Sequence, residues 1–287
     1  MLKDSIQRFL FQKLDIRGQW VHLDMSYQEI LGIHPYPEAV ARLLGEFLAA
    51  SALLGSTLKF QGRLVLQVRS SGEVSLLMAE VTHDRQLRGI ARMADVVLSQ
   101  EFNTLLKEAT LVVSVEPKDG ERYQSLVPLS GANLAECLVQ YFDQSEQLQT
   151  FIKLTSSDDS VAGILLQQLP KQLALDESER ESQWQHAMML AKTLKQEELL
   201  ILSSEKLLQG LFADDAIKLL EAESVVFKCS CNSERTANAL MMVGPTELES
   251  MFEETPEIEM ACEFCHRKYC FTRESLGETL RKDKLNH

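Results

Sequence analysis

Two short stretches, FKCSC at residues 227–231 and MACEFCHRKY at residues 260–269, decide how the C-terminal part of the chain folds. The first holds a Cys-x-Cys pair and the second a Cys-x-x-Cys pair, a spacing typical of metal sites. Cys-x-x-Cys across a turn directs both sulfurs to one centre, and residues i and i+2 of a strand share a face. Four thiolates satisfy tetrahedral Zn²⁺ and leave no open position for water. The spacing therefore predicts a closed zinc site, with one ion per chain, held by Cys229, Cys231, Cys262 and Cys265.

The geometry of such a site separates its metal-bound state from its oxidised state. Neighbouring sulfurs around a tetrahedral zinc lie ~3.8 Å apart, whereas a disulfide needs ~2.05 Å, so the metal must leave first. Either sequence pair can then close, Cys-x-x-Cys without strain and Cys-x-Cys with strain that favours its later reduction. Losing ~10–16 kcal/mol of apparent metal-binding free energy exceeds the stability of a small module. We expect oxidation to unfold this unit; the alternatives are a purely structural zinc module and two unrelated pairs of buried cysteines.

The chain has six cysteines, and two of them lie outside these pairs. Cys270 alternates with aromatic residues on a predicted strand, which indicates a small core residue; the alternative is an accessory thiol that replaces a ligand or reshuffles a disulfide. Cys137 shares a helical pattern with Leu134 and is interpreted as a core residue. His266 directly follows the last ligand cysteine, but four thiolates already complete the site.

Hairpin patterns predict an α+β fold for the large N-terminal part of the chain. Residues 63–69 and 73–82 form one predicted hairpin, and residues 110–116 and 122–128 form another, with Asp119-Gly120 in the turn. Hairpins mixed with helices favour α+β over a doubly wound parallel sheet. The other predicted elements are a helix carrying Ile6, Phe9, Leu10 and Leu14, helices over 38–56 and 133–148, and strands over 18–23, 150–155 and 161–169.

An acidic helical segment is predicted to follow. Residues 172–182 are polar and are interpreted as a connector. Helical spacing then recurs, and a second short helix can start at Ser203 or Ser204. Helices of this length are marginal in water, so they need a neighbour to pack against. The helical spacing is carried by Trp184, Ala187, Met188, Ala191 and Leu194.

Three regions result from these patterns. We predict a core domain over residues 1–175, a metastable acidic linker over 176–224, and a redox-switch zinc module over 225–287. Within the module the predicted features are a strand at Val225–Cys229, a helix from a Ser233 cap to Met242, a capping box from Thr246 to Glu249, and strands over 258–262 and 268–271.

The chain is acidic, with a formal net charge of −13. Residues 176–263 carry most of this charge, with 7 basic and 19 acidic side chains. Such a chain is a poor general ligand for DNA, RNA or anionic membranes, so we expect no nucleic-acid or membrane partner. No segment has the pattern of a signal peptide or a membrane span, and we expect a cytoplasmic protein whose thiols are reduced at rest.

The two cysteine stretches resemble the zinc centre of the bacterial redox-regulated heat-shock chaperone family, the 33 kDa chaperonins. The resemblance spans essentially the whole chain. Motifs outside the cysteines that resemble this family are Thr57-Leu58-Lys59-Phe60, Arg88-Gly89-Ile90-Ala91-Arg92, Gly120-Glu121-Arg122-Tyr123-Gln124, Tyr141-Phe142 with Ser145-Glu146-Gln147-Leu148, and Glu197-Glu198-Leu199-Leu200.

The resemblance implies an ATP-independent holdase whose partners are unfolding client proteins. It implies that the reduced, zinc-bound form is inactive, and that the oxidised form releases zinc, unfolds the linker and forms a homodimer. It also implies disulfides within each pair, Cys229 with Cys231 and Cys262 with Cys265. Cys270 departs from the apolar residue expected there.

Two other classes of function remain open from the residues alone. A thiol oxidoreductase could use Cys262-x-x-Cys265, but that chemistry needs an exposed thiol of low pKa at a helix start. A zinc-ribbon nucleic-acid binder is disfavoured by the acidic stretch before the cysteines. The motifs GxxxxGK[ST], HExxH and GxSxG do not occur, so we expect a protein that is not an enzyme and uses no nucleotide.

Overall fold

Residues 4–57, 61–171, 173 and 176–283 are described in the computed structural model of this chain, with side chains as far as Glu278. Most of the motif that begins at Thr57 lies outside these residues. The chain divides into a first unit that ends at Phe227 and a second that begins at Lys228. Helices and mainly antiparallel sheets are mixed along the chain, which confirms the predicted α+β class.

The first unit contains most of the secondary structure. In chain order its elements are β1 (Ser5–Phe11), β2 (Ile16–Leu23), α1 (Met25–Ile33), α2 (Glu38–Gly55), β3 (Gly62–Arg69), β4 (Val74–Thr82), β5 (Gln86–Met93), α3 (Phe102–Leu105), β6 (Thr110–Pro117), β7 (Tyr123–Pro128), α4 (Leu134–Tyr141) with a π-helical turn over Phe142–Glu146, β8 (Thr150–Ser156), β9 (Val161–Gln168), α5 (Glu177–Thr193), α6 (Gln196–Ile201), α7 (Ser204–Leu211), β10 (Ile217–Leu219), β11 (Glu223–Ser224) and β12 (Val226–Phe227).

Two sheets organise these strands. The first has the order β10-β1-β2-β9-β8, with β11 also pairing with β1. The second has the order β12-β5-β4-β3-β6-β7, in which β12 pairs with β5 in parallel and the other pairs are antiparallel. Both predicted hairpins are confirmed, as β3 with β4 and β6 with β7. The predicted strand after residue 224 is shorter than expected, since only β12 pairs there.

The helix predicted around Ile6 is wrong, because these residues form strand β1. Ile6 belongs to one hydrophobic core, while Phe9 and Phe11 belong to the other. A strand buried on both faces has a near-continuous apolar pattern instead of strict alternation, and over a short run this resembles helical spacing.

Helix α2 lies between the two sheets and forms the centre of the first core. Of its 18 residues, 14 are buried. Its neighbours in this core include Val21 and Leu165 from the first sheet and Leu66 and Leu77 from the second. A helix that is apolar nearly all round requires such burial on every side.

The opposite face of the first sheet forms a second core with the acidic helices. Phe9, Trp20 and Ile164 on the sheet pack with Trp184 from α5 and Leu199 from α6. The predicted helix through Trp184 is confirmed as α5, capped by Asp176, and the Ser203 cap is confirmed for α7. Sequence patterns did not identify α6, β10 or β11. These helices therefore cover one face of a sheet whose opposite face already packs against the first core.

The second unit is small. Its elements are α8 (Ser233–Met241), α9 (Pro245–Glu254), β13 (Ile258–Ala261), β14 (Lys268–Phe271) and α10 (Arg273–Asp283). Six buried apolar residues form its core: Ala237, Leu240, Leu248, Ile258, Phe271 and Leu276. The helix caps differ from those predicted, because Asn232 caps α8 in place of Ser233, and Gly244 precedes Pro245 at the start of α9 without a Thr246 box.

None of the helices in the described part of the chain combines the length and the apolar character that a membrane span requires.

Glu46 is a carboxyl group placed where the core meets the acidic helices. It lines two cavities of about 350 and 660 Å³, together with Asn133 from the N-terminus of α4 and Gln196 from α6. Burial raises the pKa of the Glu46 carboxyl to about 7 from an ordinary value of 4.5. The ionised form is therefore disfavoured in the folded state.

We predict that this carboxyl group makes the first unit less stable as the pH rises from about 4.5 to about 7, with no further loss above that range. Glu46→Gln should remove this dependence and stabilise the unit at pH 8 by roughly 1–3 kcal/mol. Denaturant titration at pH 5 and pH 8 tests this, because both tryptophans, Trp20 and Trp184, are buried in this unit. The exposed Glu29 supplies the control variant Glu29→Gln; equal pH dependence in both variants would contradict the prediction.

Candidate metal centre

The four paired cysteines meet at one point in the second unit. Their sulfur atoms all lie within 4.8 Å of one another. The Sγ atoms of Cys229 and Cys262 are 3.6 Å apart, and those of Cys231 and Cys265 are 3.4 Å apart. These separations are close to the ~3.8 Å expected between neighbouring thiolates around a tetrahedral zinc. The cluster could therefore hold a metal ion, as the spacing of the cysteines predicts.

A tight turn between β13 and β14 positions the second pair. The backbone N–H of Cys262 donates to the carbonyl of Arg267, and the N–H of His266 donates back to the carbonyl of Cys262. His266 has a φ of 54°, the left-handed conformation that reverses the chain within so few residues. The turn aims backbone N–H groups at the sulfurs: those of Phe264 and Cys265 at Cys262, and that of Arg267 at Cys265.

The first pair lies in the segment that precedes α8, only two residues after β12 ends at Phe227. Cys231 accepts a hydrogen bond from the hydroxyl group of Tyr269, with 3.1 Å between Oη and Sγ. Tyr269 is in turn hydrogen-bonded to the guanidinium group of Arg267. This side-chain donor joins strand β14 to the first pair, 38 residues earlier in the chain.

The four thiols cannot all ionise at such short distances without a counter-charge. Burial opposes ionisation of Cys231, but hydrogen bonds from Tyr269 and the other cysteines outweigh it and lower its pKa to about 7. Burial and the neighbouring sulfurs raise the pKa of Cys265 to about 12 and also raise that of Cys262. A divalent cation would offset the charge of four thiolates, since a coordinated thiol is deprotonated outright.

The donor set fits a closed structural site. Four thiolates suit a tetrahedral ion such as Zn²⁺ and leave no position for a reacting water. Within the described residues, these four cysteines are the group able to hold a metal ion, and His266 is not part of it. Neither cysteine of the second pair lies at a helix N-terminus, the position that activates the attacking thiol of an oxidoreductase.

The two remaining cysteines lie apart from this centre. Cys137 is buried in the first core, as predicted, and accepts a hydrogen bond from the Gly131 N–H at 3.3 Å. Cys270 is exposed, so its interpretation as a core residue is wrong. The two-stranded β13–β14 sheet has one face toward the core, which Phe271 occupies, and Cys270 points to the other side.

Sequence reasoning missed Tyr269 and Arg267 as part of the site. Both belong to the quoted stretch MACEFCHRKY, but the contact with Cys231 depends on how β13 and β14 pair. Met260 lies opposite Tyr269 in that register. A polar aromatic residue four positions after a ligand cysteine is the only signal that the sequence offers.

Comparisons with known proteins agree with this architecture. The family model described as Hsp33 protein matches residues 4–272. A protein named 33 kDa chaperonin from Pseudomonas aeruginosa (strain LESB58) is 47% identical over 278 residues, covering 96% of this chain and 94% of that protein. A 33 kDa chaperonin from Pseudomonas putida is 43% identical over 282 residues, covering 96% and 93% respectively.

One solved structure provides a fold comparison. The crystal structure of a 33 kDa chaperonin from Thermotoga maritima matches with a TM-score of 0.79 and covers 99% of this chain and 100% of that chain. Its sequence is 23% identical, so the likeness supports the fold.

We predict that the reduced protein binds one metal ion per chain through the four clustered cysteines. Cys262→Ser with Cys265→Ser should abolish binding, because two thiolates cannot satisfy a tetrahedral ion. Metal content by atomic emission spectroscopy measures this, and Cys270→Ser is the matched control that should retain the metal. Stoichiometric metal in the double variant would contradict the assignment.

Proposed function

Because the chain belongs to the Hsp33 family, we propose that it is a redox-regulated, ATP-independent chaperone that binds unfolding proteins. In this proposal the reduced form holds one Zn²⁺ and is inactive, and oxidation of the cysteine pairs activates it. The relatives named 33 kDa chaperonin support a chaperone function. The single observation that carries the redox part is the cluster of four thiols in a unit that has only a small core.

The stability of the second unit links the thiols to folding. Among its described residues six buried apolar side chains form the core, fewer than a unit of this length normally needs to fold alone. When bound, the metal supplies cross-links between the two cysteine pairs and apparent stability of ~10–16 kcal/mol. We therefore propose that residues 225–287 act as a redox-switch module that unfolds when its thiols are oxidised.

Peroxide is a sufficient oxidant for this switch. Two thiols and one hydrogen peroxide give one disulfide and two water molecules, so two peroxides oxidise all four cysteines. Oxidised sulfurs no longer coordinate the metal, because the thiolate is the ligand. We propose disulfides between Cys229 and Cys231 and between Cys262 and Cys265.

A different disulfide pairing is sterically close in the folded unit, because the sulfur of Cys229 contacts that of Cys262 and the sulfur of Cys231 contacts that of Cys265. Cysteines 33 and 34 residues apart in sequence separate once the unit unfolds, whereas the sequence pairs stay close. Pairing within each sequence pair therefore has the higher effective concentration during oxidation.

Residues 176–224 are proposed as the metastable linker. Helix α5 buries three residues, Trp184, Ala187 and Ala191, against the first sheet, although it is 17 residues long. His22 on β2 anchors α6 through its Nε2, 3.1 Å from the carbonyl oxygen of Leu200. Burial lowers the pKa of His22, which keeps the ring neutral as a donor. The limited burial of α5 favours its release, while the buried apolar residues of α6 and α7 would be the surface that release exposes.

Release of these helices would expose an apolar surface for clients. The face beneath them carries Phe9, Phe11, Trp20 and Ile164. Hydrophobic burial then drives capture of an unfolding chain without nucleotide. The acidic residues of this region favour solubility while the surface is open. We further propose that the protein is cytoplasmic, that the oxidised form is a homodimer, and that nucleic acids and membranes are not its partners.

We predict that peroxide treatment gives Cys229–Cys231 and Cys262–Cys265 disulfides with loss of the metal. Peptide mapping by mass spectrometry under non-reducing conditions identifies the bridges. Cys270→Ser should leave the pattern unchanged. A dominant Cys265–Cys270 bridge would instead make Cys270 a participant, and a Cys229–Cys262 bridge would show that oxidation occurs within the folded unit.

We predict that oxidised protein suppresses the aggregation of an unfolding client while reduced protein does not. Hydrogen exchange over residues 180–260 should rise strongly on oxidation, because the small unit and the acidic helices lose their protection. Light scattering of a thermally unfolding client measures the activity, with Cys270→Ser as a switching control. Equal suppression by both redox forms with unchanged exchange would mean a constitutive chaperone.

A further inference from the structure

We propose that the hydroxyl group of Tyr269, oriented by Arg267, restrains the reactivity of the Cys231 sulfur and so sets how fast the thiol cluster responds to oxidant. This inference rests on the proposed redox function and assigns a positioning role to two residues that are not ligands.

Strand pairing places the hydroxyl group at the sulfur. Tyr269 lies on β14 opposite Met260 of β13, in the strand that leads away from the second cysteine pair. Its O–H nevertheless reaches Cys231 of the first pair, 3.1 Å away. Tyr269 therefore belongs to the strand that follows the second pair, while its hydroxyl group contacts the first pair.

The donor to Cys231 differs in kind from those that reach the second pair. Cys262 accepts from the backbone N–H groups of Phe264 and Cys265, and Cys265 accepts from that of Arg267. Those donors are fixed by the turn and survive any side-chain substitution. The Tyr269 O–H can be removed by one substitution that keeps the aromatic ring, so its contribution can be measured.

Arg267 fixes the direction of the hydrogen bond between Tyr269 and Cys231. Its guanidinium group carries only donors, so in its hydrogen bond with Tyr269 the phenol oxygen must accept. The phenol proton is then free to point toward Cys231. Neighbouring bonds in such a chain polarise one another, which strengthens donation to the sulfur.

A hydrogen bond to a thiolate withdraws electron density from the lone pair that attacks an oxidant. Oxidation begins when the thiolate attacks one peroxide oxygen, breaking the O–O bond to give a sulfenic acid and hydroxide. The thiolate of Cys229 then attacks the sulfenic sulfur of Cys231, forming the disulfide and expelling a second hydroxide. Donation from Tyr269 slows the first of these steps at Cys231.

The test compares Tyr269→Phe with the parent protein. The variant keeps the ring and should still bind one metal ion per chain, since four thiolates remain. Loss of one hydrogen bond should raise the rate of peroxide-driven metal release roughly three- to tenfold. Stopped-flow measurement with a chromophoric metal chelator gives this rate. Tyr123→Phe is the matched control, because Tyr123 is 59% exposed on β7 and lies outside the cysteine site.

A second measurement distinguishes a change in the electron density at the Cys231 sulfur from a loss of folding stability in the variant. Cobalt(II) in place of zinc gives a sulfur-to-metal charge-transfer band, whose energy falls when a hydrogen bond to the thiolate is lost. The band should move to longer wavelength in Tyr269→Phe and by less in Arg267→Gln, which alters a surface side chain. An unchanged band together with an unchanged release rate would overturn the inference.

Alkylation separates this inference from the proposed function. Iodoacetamide reacts with thiolates whether or not oxidation activates a chaperone, and peptide mapping gives the rate at each cysteine. The measurement uses metal-bound protein, in which every ligand sulfur is already a thiolate, so that loss of the donor changes nucleophilicity and not the thiolate fraction. Faster alkylation of Cys231 in Tyr269→Phe then supports the inference even if oxidised protein fails to suppress aggregation. Equal alkylation rates in the variant and parent proteins reject it even if the redox switch operates.

Discussion

Repulsion among four thiolates within 4.8 Å of one another is the constraint on which the second unit depends. Only a cation at their centre allows all four to be charged, and only charged sulfurs bind that cation well. In the proposed metal-bound form, cross-linking through the metal and folding of the unit would therefore be one process. The described part of the second unit buries six apolar residues, so in the proposed switch a chemical change at sulfur would act on the whole unit.

In the first unit, the two faces of the first sheet are covered unequally. Helix α2 buries 14 of its 18 residues and covers one face. The other face is closed by α5, α6 and α7, of which α5 buries three residues of 17. Because strands β1 and β2 already have a core behind them, the sheet can persist without the acidic helices. This asymmetry supports the proposal that those helices, and not α2, are the part of the first unit that detaches.

The sequence predicted features that rest on local chemistry. The hairpin at Asp119-Gly120 and the cap at Ser203 follow from preferences of single turns, and both are present. The paired spacing of the cysteines was enough to predict that the four sulfurs meet, without knowledge of the fold. Prediction failed for β1, because a strand between two cores is indistinguishable from a short helix by pattern.

Contacts between residues far apart in the chain could not be predicted from the sequence either. Cys270 was assigned to the core because it alternates with Tyr269 and Phe271, yet only one face of its two-stranded sheet is covered. The link from Tyr269 to Cys231 depends on the register of β13 with β14 and on the path of a segment far earlier in the chain. No local rule fixes either quantity.

In the proposed switch, position along the chain would give the small unit its influence on the large one. Strand β12 has only two residues, pairs with the second sheet through Val226 and Phe227, and is followed within two residues by Cys229. Strands β10 and β11 are three and two residues long and hold the preceding segment to β1. These short pairings form the end of the acidic segment. Because each contains few hydrogen bonds, the pairings fray easily. In the proposed switch, unfolding that begins at the cysteines would meet these short strand pairings before it reached the acidic helices.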